Sequence, residues 1–349
     1  MKTKMKKLGI IFGGMSTENE VSVQSAFSIL QNLDKEKYDI FPIYIEKNGN
    51  WYEYQGNFEK VEFGETLKDI YEIPDVMKYL KKLDVVFPVL HGLYGEDGTI
   101  QGLLELLKIP YVGCGVLASS IGMDKVYTKI IFEKVGINQA KYEFVKKVNK
   151  DYMYVDKQFQ EKQMELKEIV ELISENLKFP VFVKPSRSGS SVGVKKAKDK
   201  KELSENIEYA SRFDSKILIE EGIIGKEVEC AVLGKDEVMA SRVGEIKSAE
   251  EFYSFDAKYI NEESKTQIPA NISAEKEDEI RKLAIKAFKA IDGKGLSRVD
   301  FFVEDETQKV YINEINTLPG FTSISMYPKM MEASGVPTKE LLNFLIELC

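Results

Sequence analysis

Four polar side chains near the C-terminal end have the types and spacing to do chemistry together. Arg298, Asp300, Glu314 and Asn316 lie in RVDFFVEDETQKVYINEIN. Two apolar-rich strand patterns flank the polar turn EDETQK, which predicts a β-hairpin. Glu314 and Asn316 are two apart, so on one strand they share a face. If the register pairs Asp300 with Glu314, Arg298 falls opposite Asn316. Three oxygen donors and a guanidinium then line one patch. Carboxylates that close repel one another unless a cation neutralises them. Hard oxygen donors suit magnesium, which takes one or two carboxylates together with substrate phosphates. The same residues could instead form a salt-bridge cluster on a sheet edge. The uncharged NTLPGF turn after Glu314 favours a site, because loops leaving strand ends commonly carry them.

A second candidate is the loop Ser186-Arg187-Ser188-Gly189-Ser190-Ser191-Val192-Gly193, which follows a strand ending in Lys184. Glycine and serine let backbone N–H groups approach an anion, and the hydroxyls add donors. Lys184 adds a point charge for phosphate. The pattern is not a Walker A loop. Beside a magnesium hairpin it makes a nucleoside triphosphate the favoured ligand. His91 is the single histidine of the chain and sits at a strand end before the glycine-rich HGLYGEDG loop. It reads as structural or functional alike. Glu18 falls in the box Thr17-Glu18-Asn19-Glu20, which reads as a helix cap and could also anchor a substrate ammonium. Gly113-Cys114-Gly115-Val116-Leu117-Ala118 matches the dinucleotide fingerprint of a nicotinamide oxidoreductase. It does not lie in a first βα turn, so it reads as an interdomain turn.

These residues need elements to hold them. LGIIF, YDIFPIYI, DVVFPVLHG and IPYVG read as strands, with VSVQSAFSILQNL and TIQGLLELL as helices. That alternation predicts a parallel α/β domain over about the first 115 residues. MDKVYTKIIFEKVG reads as a helix ending at Gly136. The Lys- and Glu-rich region 145–177 reads as solvated and structural, with helical spacing at MELKEIVELISENL. FPVFVKP, the two patterns around Gly225, and VMASRVGEI read as strands. SAEEFYSFDAKYINEESKTQIPA has no period and reads as a long loop. EKEDEIRKLAIKAFKAI and TKELLNFLIEL read as amphipathic helices.

Composition narrows the classes. A length of 349 residues allows two or three domains at about 150 each. A net charge of −8 argues against a general nucleic-acid surface. Cys114, Cys230 and Cys349 have unrelated spacings, so neither a disulfide framework nor a zinc site is expected. MKTKMKKLGIIFGG is too short in its apolar part for a signal peptide, and no stretch nears the ~20 apolar residues of a membrane span. The expected place is the cytoplasm.

In order along the chain, GGMSTENEVS, HGLYGEDGTIQG, MDK, VKPSRSGSSVGV, the EE and GKEVE segments of 220–229, FYSFDAKY, RVDFF and NEINTLPGFTSIS together resemble the D-alanine–D-alanine ligase family of the ATP-grasp superfamily. The resemblance covers nearly the whole chain. It implies an N-terminal α/β domain (1–115) and two α+β ATP-grasp subdomains (116–222 and 223–349). It implies ligation of two D-alanines through an acyl phosphate for peptidoglycan precursor synthesis, with ATP and two Mg2+ or Mn2+ ions, by a homodimer. By similarity Lys125 and Lys184 contact phosphates. Glu220, Glu227 and the backbone at Ile223 hold adenine and ribose. Asp300, Glu314 and Asn316 hold metal, while Arg298 and the Gly320 N–H face the oxyanion. Glu18 takes the first substrate's ammonium, with His91 near it. Ser325 and the backbone at Met326 take the second carboxylate. Ser190 and Tyr259 link to Glu18, and Lys258 and Tyr259 ride on a closing loop. The family's dipeptide ligases usually have Leu at Met326, and some D-alanine–D-serine ligases have Arg there. Phe255 stands where a Tyr is frequent. Met326 and Tyr259 favour D-alanine, with D-serine as the alternative second substrate.

Overall fold

The architecture was analysed in a computed structural model, which describes residues 5–58, 65, 67–247 and 265–349. The first part comprises β1 (Lys6–Gly13), α1 (Asn19–Asn32), β2 (Tyr38–Ile45), β3 (Trp51–Tyr54), β4 (Ile70–Glu72), α2 (Val76–Leu80), β5 (Val85–Pro88) and α3 (Thr99–Leu107). Its sheet runs β4-β3-β2-β1-β5, with β1 parallel to both neighbours. Leu8, Ile10, Ile11 and Phe12 are fully buried, as expected of a strand covered on both faces. Parallel order puts the C-terminal ends of β1 and β5 side by side, so the Gly13-Gly14 turn and the HGLYGEDG loop meet at one edge. IPYVG makes only an isolated bridge between Val86 and Tyr111, not a strand. The segment is held there by the Val86 N–H bonded to the Pro110 carbonyl and the Val112 N–H bonded to the Val86 carbonyl, both at 2.9 Å.

Two helices, α4 (Val116–Met123) and α5 (Lys125–Lys134), lead into the second part. It contains β6 (Tyr142–Val148), β7 (Asp151–Val155), β8 (Glu161–Met164), α6 (Leu166–Asn176), β9 (Val181–Pro185), β10 (Lys195–Ala197), α7 (Lys200–Ala210) and β11 (Lys216–Glu221). All pairings are antiparallel, in the order β10-β9-β11-β6-β7-β8. The region 145–177, expected to be solvated with one helix, therefore also supplies β7 and the edge strand β8. Charges on this side of the sheet pair with one another, as Lys146 of β6 does with Glu161 of β8, while Tyr152 and Tyr154 pack inward. Such edge charges blunt unwanted pairing.

The third part contains β12 (Gly225–Gly234), β13 (Val238–Lys247), β14 (Lys265–Gln267), α8 (Ala274–Ala290), β15 (Gly295–Glu304), β16 (Val310–Asn316), α9 (Met326–Ala333) and α10 (Thr338–Glu347). The antiparallel sheet runs β14-β13-β12-β15-β16. In α8, Ile280, Ala284, Ala287 and Phe288 are buried at helical spacing against one sheet face. Met326, Tyr327, Met330 and Met331 from α9 and Leu341, Leu342 and Leu345 from α10 join a core with Leu8, Phe12 and Leu30. The end of the chain thus closes back on its beginning. At the same junction a Cβ on Gly295 would stand 3.1 Å from the Gly113 backbone, and Gly113 itself has a left-handed φ of +108° that disfavours a side chain. In the GCGVLA segment Gly113 thus serves by its backbone conformation, and Gly115 precedes α4.

Candidate active site

The C-terminal hairpin has the register that the site needs. β15 and β16 pair Arg298 with Asn316 and Asp300 with Glu314. A bulge follows at Phe301, so the alternation breaks and Asn313 is re-aimed toward Lys184 Nζ at 3.4 Å. On the other side of β15, Glu229 of β12 pairs with Asp300. Three carboxylates therefore lie abreast on three strands. Arg298 lies among them: its Nε and an Nη atom each donate to Asp300 at 2.7 Å, and Nε lies 3.2 Å from Glu229. Burial disfavours its charge, but Asp300 and Glu229 hold the guanidinium well above its ordinary range. Asn316 Oδ1 accepts from the Leu318 N–H at 3.0 Å and so starts the turn that follows.

A cavity of about 430 Å³ separates this hairpin from the second sheet. Lys125, Lys184, Glu220, Ile223, Glu227, Asp300 and Glu314 all line it. Lys184, on β9, points across from β11, whose Glu220 forms an ion pair with it. The other Glu220 oxygen lies 2.8 Å from Lys129 Nζ. Burial pushes the Glu220 carboxyl up, yet Lys129 and Lys184 together hold it down at about 2. Lys125 opens α5; its Nζ donates to the Ser188 carbonyl at 2.9 Å and lies 3.2 Å from Glu314. Asp124 caps α5, accepts from Ser186 Oγ at 2.7 Å and pairs with Lys216 at 2.6 Å. That network fastens the Gly/Ser loop to the start of α5. Within the loop, Ser190 and Ser191 both have left-handed backbones (φ +48° and +61°), an arrangement that costs about 1 kcal/mol or more per residue.

From this loop Ser190 Oγ donates to Glu18. Glu18 is buried at the start of α1, and no side-chain cap is made there. The expected capping box is therefore absent: the carboxylate is drawn to Ser190, and Glu20 pairs with Lys47 at 3.0 Å. A Cβ on Gly92 or on Gly189 would stand 2.5 Å from Glu18 Oε2, so both glycines allow the close approach. His91 is buried and bonded within the protein, and burial pushes its imidazole down to about 4. Gly320 faces Ser325 Oγ, which accepts from the Thr322 N–H at 2.9 Å. Met326 is buried, and a Cβ on Gly244 would collide with its methyl end. Phe255, Lys258 and Tyr259 lie outside the described residues.

Four residues of the site escaped the sequence reading. Glu229 is two from Glu227 on one strand, and this alternation could have found it. Lys129 is one helical turn beyond Lys125. Asn313 depends on a bulge that sequence does not announce. Glu96 accepts from the Gly92 N–H at 2.7 Å; burial, then the charge of Glu18, pushes its carboxyl up to about 8.

Comparison with known proteins agrees with this geometry. Family models described as D-ala D-ala ligase N-terminus and C-terminus match residues 7–114 and 131–347. The D-alanine–D-alanine ligase of Acetivibrio thermocellus is 52% identical over 98% of this chain and 95% of its own. That of Clostridium novyi is 50% identical, over 98% and 97%. Among solved structures, the VanG D-Ala:D-Ser ligase from Enterococcus faecalis is 40% identical with a TM-score of 0.85, covering 99% of both chains. The D-alanine–D-alanine ligase from Coxiella burnetii is 34% identical with a TM-score of 0.80, over 99% of this chain and 94% of that one. Nothing in these likenesses or in the GCGVLA geometry supports an oxidoreductase. The chain has the ATP-grasp fold and belongs to the D-alanine–D-alanine ligase family.

Proposed function

We propose that this protein joins two D-alanines, using ATP to activate the first carboxylate as an acyl phosphate that the second amine attacks. The observation that carries the reading is one cavity in which Lys125 and Lys184 face Asp300 and Glu314. Cations for phosphate and oxygen donors for metal thus meet where a nucleotide fits. Lys125 and Lys184 hold the phosphates, and Glu220 acts on them by orienting Lys184. Glu227 and the backbone at Ile223 take the ribose and adenine end.

Asp300, Glu314 and the Asn316 amide would hold two magnesium or manganese ions. The donor set is all oxygen, and protein cations already lie on both carboxylates, so the residues fit a hard cation. Magnesium ions at such a site are commonly completed by phosphate oxygens. Such ions neutralise charge on the phosphates. Arg298 and the Gly320 N–H face the tetrahedral oxyanion. Glu18, held by Ser190, anchors the first ammonium, and Ser325 takes the second carboxylate. The three units divide at 115 and 222. The protein works as a cytoplasmic homodimer, which light scattering checks; no helix among the described residues is long and apolar enough to cross a membrane.

Incubation with ATP and D-alanine should release phosphate and the dipeptide, each dependent on D-alanine; no dependence would refute the reading. The likeness to a D-Ala:D-Ser ligase supports a second reading, with D-serine as the second substrate. The buried, apolar Met326 favours D-alanine. Equal D-alanine and D-serine, with products weighed by mass, decide between them.

A further inference from the structure

Helix α1 carries two fully buried serines less than one turn apart. Ser22 ties the ends of two strands, accepting from the Gly13 N–H at 2.8 Å and donating to the Val89 carbonyl. Ser25 has different partners. Its Oγ accepts the Phe321 N–H at 3.1 Å and lies 3.0 Å from His91 Nε2. The Leu318 backbone lies beside the His91 ring and favours a proton on it. Burial, and then the charge of Arg298, keep the imidazole neutral, so it has one N–H and one acceptor. A carbonyl can only accept, so the ring N–H points at Leu318. The Ser25 hydroxyl already accepts from Phe321 and donates to Nε2. The polarity closes: Phe321 N–H to Ser25, Ser25 O–H to His91, His91 N–H to the Leu318 carbonyl.

Phe321, at one end of the turn, is therefore fastened to Ser25, and Leu318, at the other, lies beside the His91 ring. Pro319 and Gly320 lie between them. A Cβ on Gly320 would stand 2.9 Å from Ser325 Oγ and 3.7 Å from Ser25 Oγ, so the turn is tight toward Ser325 and in ordinary contact with α1. We propose that Ser25 is a positioning residue that acts through His91 to hold the Leu318–Phe321 turn, and so aims the Gly320 N–H into the site. His91 is then a strut rather than a substrate contact, since both ring nitrogens are engaged by protein. What the turn faces rests on the ligase reading; the hydrogen-bond chain does not.

The chain has a single histidine, so its imidazole nitrogens can be read by NMR in the untagged, 15N-histidine-labelled protein without assignment. The expected spectrum is one neutral ring with the proton on Nδ1, unchanged from about pH 8 to pH 5.5. In Ser25→Ala, the Nε2 signal should move because its donor is gone. An Nε2–H ring, or one titrating near pH 6.5, would overturn the proposal. In steady state, Ser25→Ala should lower kcat about 10- to 100-fold, the scale of a small misplacement. The KM for ATP should stay within about twofold. Ser25→Cys, of similar volume and with a weak hydrogen-bonding sulfur, should fall between alanine and wild type. Wild-type kcat in Ser25→Ala would overturn the positioning role, as would equal losses of kcat and ATP affinity in both variants. Wild-type protein that released no D-alanine-dependent phosphate would instead overturn the ligase reading, and the NMR arm would still decide the strut.

Discussion

Replacing Glu220 by glutamine should expose how much the cavity depends on one buried carboxylate. Glu220 is 5% exposed, with Lys129 Nζ 2.8 Å from one oxygen and Lys184 on the other. Glutamine keeps the shape and removes the charge, leaving two buried ammoniums with one anion fewer. Burial pushes the carboxyl up and the two lysines overcome that, taking it from 4.5 down to about 2. At ~1.4 kcal/mol per pH unit this corresponds to roughly 3 kcal/mol. Orphaning a buried charge costs a similar ~3–5 kcal/mol, and among the described residues Lys129 would face a neutral amide and the Tyr142 ring at 5.3 Å. A depressed carboxyl contributes stability that is present above pH 4.5 and lost as pH falls toward 2. Guanidinium unfolding followed by circular dichroism should therefore show the variant less stable by about 3 kcal/mol at pH 7. The gap should shrink as the pH falls through 4.5 toward about 2. Equal stability at pH 7, or a gap that ignores pH, would refute the reasoning.

Arg298→Ala should cut turnover by about 10²–10³-fold while ATP affinity stays within a few-fold; near-normal turnover in a phosphate-release assay would remove Arg298 from the oxyanion. Chelation with EDTA should abolish phosphate release, and added Mg2+ or Mn2+ should restore it; activity that survives chelation argues against Asp300, Glu314 and Asn316 as ligands. Burial and Glu18 raise the Glu96 carboxyl from 4.5 to about 8. Its contribution is thus fully present below pH 4.5 and lost as pH rises toward 8. Glu96→Gln should then gain stability relative to wild type over that window, and parallel pH–stability curves would contradict it.

The hairpin was legible because strand period and turn chemistry are local. Two apart means one face, so Glu314 and Asn316 were found together and the register with Arg298 and Asp300 followed. Glu18 was found for the wrong local reason. Its capping spacing is real, yet Ser190, 172 residues away, takes the carboxylate instead. Region 145–177 is only partly legible in the sequence, because an edge strand such as β8 carries the same charges as a solvated helix.

By itself the sequence determined the types of group available, their order and the faces they occupy on each strand or helix. Those follow from backbone periodicity, which any local segment expresses. Only the tertiary structure decided which faces meet. It put Lys129 and Lys184 on either side of Glu220, Glu229 beside Asp300, and Ser25 beneath the Gly320 turn. These contacts join distant segments through sheet order, a bulge and the closing of the last two helices onto the first part of the fold. No local period carries that information, because it depends on how whole apolar faces pack.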